Sequence, residues 1–369
     1  MAANGADSNP PKPVSMRYTL HENGLSILGQ EVPLGRVDRE LKKLWDTDDA
    51  KTRASLMNFA IYSEKAEDLA RNNRLLEQIT STHACRALLI LTLPGGDPPR
   101  ARAWINALCR PYQGKEVVCS EQLSFVLEGG NAAQVQNTVF AHLDSDLPLA
   151  VWWQGDLTSN FEERFYSEIN RLFIDSSAWK DPATAFAKLE TAYEAPTSDF
   201  EVHDLSWTRS HYIRSALAGC FQSTLALSRL PDVERIEITH APVQRTSALL
   251  VAAWIAERLA YALIEAESGV RFTKPTGETV TLDLQEGPSG YCIQRLALVG
   301  PGMKTEVKRD PSCSFVRVCA HCGEHESSEM LPADAETESE LISGQLSRAH
   351  GTSLYIEMVP LLREMLAKL

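Results

Sequence analysis

The chain has 369 residues, 44% hydrophobic and 23% charged, with a formal net charge of −13. That acidity, with no Lys/Arg cluster, excludes a general nucleic-acid binder, which needs basic stripes to neutralise phosphates, and disfavours an anionic membrane surface. The length exceeds the roughly 100–200 residues of one domain, so two are expected, over 15–198 and 199–369, behind a Pro/Asn/Ser-rich disordered tail at 1–14.

The start has no basic stretch leading into an apolar run, so no signal peptide is read. Pro33–Trp45 and Ala54–Ile79 read as helices, the second from apolar residues at helical spacing. Arg86–Leu93 is a short apolar strand stopped by Pro94-Gly-Gly-Asp-Pro-Pro. Ala101–Tyr112 and Glu116–Leu127 read as an antiparallel pair joined at Gln113-Gly114. Asn131–Leu143 is helical, Leu147–Trp153 a buried strand, Ser159–Tyr166 a short helix, Arg171–Asp175 a strand and Pro182–Tyr193 a helix with proline in its first turn. After a linker at 195–199, Thr208–Leu227 reads as one helix, Arg235–Thr239 as a strand and Pro242–Glu265 as a long buried helix. Its apolar stretch Ala248–Ala256 is far short of the roughly 20 residues that span a bilayer, and a cytoplasmic protein is expected. Val270–Val318 switches to period two, an antiparallel meander, and Glu336–Ser347 and Ser353–Lys368 close the chain as helices. The alternation predicts an α/β fold: a mixed, partly parallel sheet flanked by helices, then a second, more antiparallel α+β portion and C-terminal helices.

Motifs for chemistry are sparse. There is no phosphate-binding G-x-x-x-x-G-K-[ST], no G-x-G-x-x-G after a strand and no G-x-S-x-G elbow. His321-Cys-Gly-Glu-His325 matches an inverted zinc-protease pattern, but Gly323 and a preceding strand-like run oppose the helix that chemistry needs. Cys313, Cys319 and Cys322 cluster, with Cys-x2-Cys-Gly as half of a zinc knuckle. Three readings stay open for them: a Cys3His zinc site with His321 or His325, a reversible redox pair, or inert thiols. Cys85, Cys109, Cys119, Cys220 and Cys292 are scattered through apolar patterns and read as buried free thiols.

Trp152 and Trp153 point to opposite faces of their strand, so one is placed in the core and the other is an interface candidate. Asp175 and Ser176 end a strand, where ligands bind in open α/β sheets, although capping explains them equally well. Trp207, Arg209 and Arg214 open a helix, and the arginines suit partner carboxylates or a home pairing with Asp204 or Asp199.

Six blocks, Thr82–Leu91, Val118–Phe125, Asp146–Gly155, Arg171–Ser177, Asp204–Arg209 and Leu249–Leu259, stand in an order and spacing that resembles the OpcA family of glucose-6-phosphate dehydrogenase assembly proteins. The resemblance implies a protein without its own reaction or cofactor. Its partner would be glucose-6-phosphate dehydrogenase, whose active oligomer it promotes, supporting NADPH production in the oxidative pentose phosphate pathway. It also implies, from photosynthetic relatives, a link to thiol redox control. Two departures stand out: Ile213 replaces a tryptophan of the family pattern and Gln222 an aspartate.

Overall fold

The computed structural model describes residues 25–46, 51–53, 55–96, 98–112, 116–264, 269–288, 290–310, 312, 314–335, 337–348 and 353–369. The expected tail at 1–14 lies outside them.

Phe59, Ala60, Ile61 and Tyr62 have no exposed surface. They belong to a strand, β3 (Asn58–Ser63), and not to the first half of a helix over 54–79; only Leu69–Thr80 is helical. A continuous apolar run carries no periodicity, so a central parallel strand looks like a buried helix until its flanks are known. The first sheet comprises β1 (Gln30–Val32), β2 (Lys51–Arg53), β3, β4 (Arg86–Leu93), β5 (Arg100–Tyr112), β6 (Glu116–Glu128), β7 (Leu149–Trp153), β8 (Arg171–Ile174) and β9 (Glu201–Asp204). Its spatial order is β1-β5-β6-β4-β3-β7-β8-β9, with β2 on β6. β5 and β6 are antiparallel, as the sequence predicts. The strands β6-β4-β3-β7-β8-β9 run parallel. Taken in chain order they lie third, second, first, fourth, fifth, sixth, the doubly wound order of dinucleotide-binding folds.

Seven helices of eight or more residues are described: α1 (Val37–Asp46), α2 (Leu69–Thr80), α3 (Pro182–Tyr193), α4 (His211–Gly219), α5 (Arg245–Arg258), α6 (Glu338–Leu346) and α7 (Ser353–Ala367). α3 begins where expected: Asp181 accepts the Thr184 amide proton and Pro182 occupies the first turn. The single helix read over 208–227 is three pieces: a turn at Leu205–Thr208, α4, and Thr224–Ser228, whose amide at Ala226 is capped by Ser223. α4 takes its cap from far away, with Asp334 accepting the amides of Tyr212 (2.8 Å) and Ile213 (3.2 Å).

The second sheet holds β10 (Arg235–His240), β11 (Ala262–Ile264), β12 (Val270–Thr273), β13 (Thr279–Glu286), β14 (Ile293–Gly300), β15 (Met303–Arg309), β16 (Phe315–Cys322) and β17 (His325–Pro332), in the order β11-β12-β13-β10-β14-β15-β16-β17. Neighbours are antiparallel except β10 and β13. The expected meander is thus interrupted by β10 and extended by β17. α5 is buried on every side and touches β10 and β13, α7 and the turns at Ser176–Ala178 and Leu205–Thr208, so one apolar cluster runs through both sheets.

α5 stops earlier than the sequence suggests. Ala260 sits at φ 54, in the left-handed region, and the Tyr261 amide donates back to Ala256 O at 2.8 Å. A Cβ is strained there, so Ala260→Gly is expected to raise stability by about 1 kcal/mol, measured as the urea unfolding midpoint. A lower midpoint would contradict it.

Candidate functional site

At the carboxyl ends of β8 and β9 a carboxylate ends each strand, and each aspartate caps the turn that follows it. Asp175 accepts from the Ser177 amide (3.3 Å) and hydroxyl (2.6 Å), from Ser206 Oγ (2.9 Å), and from both Arg209 terminal nitrogens (3.0 and 2.7 Å). Burial raises its carboxyl, but Arg209 and the two serines outweigh burial and hold it below the ordinary range. Asp204, 1% exposed, accepts from Ser176 N (3.1 Å) and Oγ (2.6 Å), Ser206 N (2.9 Å) and the Tyr355 hydroxyl (2.9 Å). With no cation on it, burial and the neighbouring Asp175 push its carboxyl up to about 6. Tyr355 lies on α7, so the last helix is fastened to the end of the first sheet.

The structure brings Asp175, Ser176 and Arg209 into one network and corrects their expected role. Ser176 has no exposed surface, and Arg209 and Asp175 side chains keep only 9% and 15%. α5 and α7 cover the strand ends, an arrangement no local sequence pattern carries. Trp152 and Trp153 are likewise corrected: each is 1% exposed. They serve the two opposite cores, Trp152 with Phe59 and Phe173, Trp153 stacked on Tyr62 at 4.1 Å. Neither side chain lies on the surface. Arg214, 8% exposed, lies flat on Trp207 (3.1 Å to the ring centroid) and donates to Ser210 Oγ and Trp207 O. Burial pushes its guanidinium down to about 9.

One feature went unread in the sequence, and one reading holds. Cys109 and Cys119, expected as separate thiols, face each other across β5 and β6 and form a disulfide; the antiparallel register was the signal. His321 and His325 sit in a β-hairpin that turns at Gly323 (φ 65), so the inverted protease pattern has no helix. Cys319 is a free thiol 3.7 Å from Ser328 Oγ. Cys313 and the side chain of Cys322 lie outside the described residues. Among those described, no group of three or more His, Cys, Asp or Glu is placed to hold a metal, and no helix is long and apolar enough to cross a membrane.

The crevice where such folds take a nucleotide lies at the carboxyl ends of β3 and β7, the point of strand-order reversal. Here polar side chains of the chain bond to one another. Glu64 accepts from Tyr62 Oη (2.7 Å), Thr158 Oγ1 (2.7 Å) and Asn160 Nδ2 (2.8 Å). Gln154 and Asn72 exchange two amide hydrogen bonds (2.9 and 2.8 Å) between β7 and α2. The β3–α2 turn, Glu64-Lys-Ala-Glu-Asp68, has no glycine, and its carboxylates stand where a pyrophosphate would need a positive helix end.

Fold and site therefore define a doubly wound α/β protein whose strand-order reversal is bridged by hydrogen bonds among its own side chains. Residues 76–191 match the family model described as glucose-6-phosphate dehydrogenase subunit N-terminal domain, and residues 200–359 the corresponding C-terminal domain. The chain belongs to this family, OpcA. It is 23% identical over 202 residues to the OxPP cycle protein OpcA of Nostoc punctiforme, covering 53% of this chain and 43% of the relative. It is 24% identical over 189 residues to that of Synechococcus elongatus, covering 50% and 41%. The matched region thus spans less than half the length of these curated relatives. Among solved structures it is similar to KijD10, a 3-ketoreductase from Actinomadura kijaniata (10% identity, TM-score 0.48, 84% of this chain and 96% of that one), and to aldose-aldose oxidoreductase from Caulobacter crescentus (11%, 0.44, 85% and 97%).

Proposed function

We infer that this chain is a non-catalytic partner of glucose-6-phosphate dehydrogenase that binds the enzyme and promotes its active oligomer, supporting NADPH production in the oxidative pentose phosphate pathway. Family membership supports the partner. The observation that supports the non-catalytic part is an acidic side chain at the strand-order reversal: Glu64, bound by three side-chain donors, stands where a doubly wound sheet takes an anionic ligand. The mechanism is population shift: a protein that binds the active assembly more tightly than the inactive one raises its occupancy by that difference alone.

The test is light scattering of the purified dehydrogenase, with its oligomer distribution followed as this protein is added. Co-elution and a saturable shift toward one larger species support the reading; two independent peaks at every ratio overturn it. The alternative, a regulatory module or enzyme binding a sugar phosphate or nucleotide at the sheet edge, is favoured by a cavity of about 650 Å³ beside Arg209, lined also by Gln78, Gln244 and Cys292. Its wall includes Glu338 and Glu340, and Arg209 is already engaged by Asp175, so an anionic ligand meets carboxylates there.

A further inference from the structure

The second sheet has two unlike faces. One is apolar and covered: Ile236, Ile238, Leu296, Leu298, Val307 and Val318 join the core beneath α4 and α5. Along β15 burial alternates, and the other face is open. Register places Arg295, Lys308 and Arg317 directly opposite one another on β14, β15 and β16. Like charges in opposed positions destabilise a sheet, so the fold gains nothing from setting these cations side by side. Arg295 is neutralised by Glu237 and Glu306, each at 2.7 Å. Among the described residues, Arg317 reaches only Asp310, at 3.9 Å, and Lys308 has no ion-pair partner. Next to Arg317 in register is Met330, 44% exposed, and Phe315, 46% exposed, lies on the same face. Arginine, methionine and aromatic residues are the types enriched at protein interfaces.

We propose that this open face, centred on the Arg295–Lys308–Arg317 row with Met330 and Phe315 beside it, docks an acidic protein surface, and that the surface belongs to the dehydrogenase. The proposal rests on the reading of function given above. A second copy is the competing occupant: a two-fold axis across the strands, between adjacent rows, sets Lys308 against Glu306. Self-association of the wild-type chain that K308E/R317E abolishes overturns the proposal. Nucleic acid is disfavoured because Glu237, Glu306 and Asp283 are interleaved on the same face. Eight strands about 4.8 Å apart and about six residues long give a face of roughly 700 Å², close to the roughly 800 Å² each partner buries in a standard interface.

The experiment measures dehydrogenase affinity for the wild-type chain, for K308E/R317E, and for Arg258→Glu, a control on an exposed residue at the end of α5. Thermal unfolding is followed in parallel. The expected result is at least tenfold weaker binding by K308E/R317E, an unfolding midpoint equal to or above wild type because the opposed cations are gone, and unchanged binding by the control. Wild-type affinity should also fall with added salt. Wild-type binding that K308E/R317E leaves intact overturns the docking face and spares the functional reading. A weakening shared equally by the control also overturns the face. No binding by the wild-type chain overturns both.

Discussion

Replacing Asp204 with alanine is expected to cost about 3–5 kcal/mol of stability, the range for stripping the partner from a buried charged network. Two backbone amides and two hydroxyls aim at this carboxylate, and each buried donor left alone costs about 1–3 kcal/mol. Asp204→Asn behaves differently. Its oxygen can keep the Ser176 and Ser206 amides, while its amide nitrogen donates to Ser176 Oγ and Tyr355 Oη, both of which can accept. What it removes is a titration. The folded state holds the Asp204 proton more tightly than the unfolded chain does, so this group stabilises below 3.8 and that contribution is lost as pH rises to about 6. His203 acts in the opposite sense. Burial and Arg171 push it from 6.5 down to about 4, so its contribution is present above 6.5 and lost as pH falls. Asp334, also pushed up to about 6, follows the Asp204 sign and is common to both proteins. Between pH 6 and pH 4, Asp204→Asn should therefore lose more stability than wild type, by up to about 3 kcal/mol at about 1.4 kcal/mol per pH unit. Urea midpoints across that range measure it. Parallel pH profiles would contradict the assignment.

Arg209→Ala is expected to cost a similar amount, about 3–5 kcal/mol, because it leaves Asp175 buried without its cation. Lysine should rescue only part of the loss, since a point charge cannot reproduce two parallel contacts at 3.0 and 2.7 Å. The discriminating result is the double variant. Arg209→Ala with Asp175→Asn should recover much of the loss, because no buried charge is then unpaired. Additive losses would mean the pair is not coupled.

Much of this architecture was legible in the residues, and the failures have physical causes. The hairpin of β5 and β6 was readable because two long strand-like runs flank Gln113-Gly114 in the sequence. α3 was readable because Asp181-Pro182 is a capping signal written locally. β3 was misread because Asn58–Ser63 is buried on both faces and carries no period. The long helix over 208–227 was overextended because the Asp334 contact that caps α4 is a tertiary decision, and the local Ser223 cap was passed over.

For the site, Asp175, Ser176 and Arg209 were each singled out, but separately and as surface, and Arg209 pairs with Asp175 rather than with the expected Asp204 or Asp199. Their burial depends on Tyr355 and α5, residues far along the chain whose docking no spacing announces. The tryptophan pair shows the same limit: alternation placed Trp152 and Trp153 on opposite faces, and it could not say that helices cover both. The strand-order reversal was legible only as a missing glycine motif. That Glu64, Asn72 and Gln154 meet other side chains beside it required the sheet order. The cation row of β14–β16 was unreadable in principle, because it exists only once the register of three strands is set.

The most direct measurement is the initial rate of purified glucose-6-phosphate dehydrogenase with and without this protein, across substrate concentrations, with co-elution run alongside. A saturable rise in rate or apparent substrate affinity, together with a shared elution peak, is the predicted result. An unchanged rate with separate peaks, under both oxidising and reducing conditions, would contradict the account.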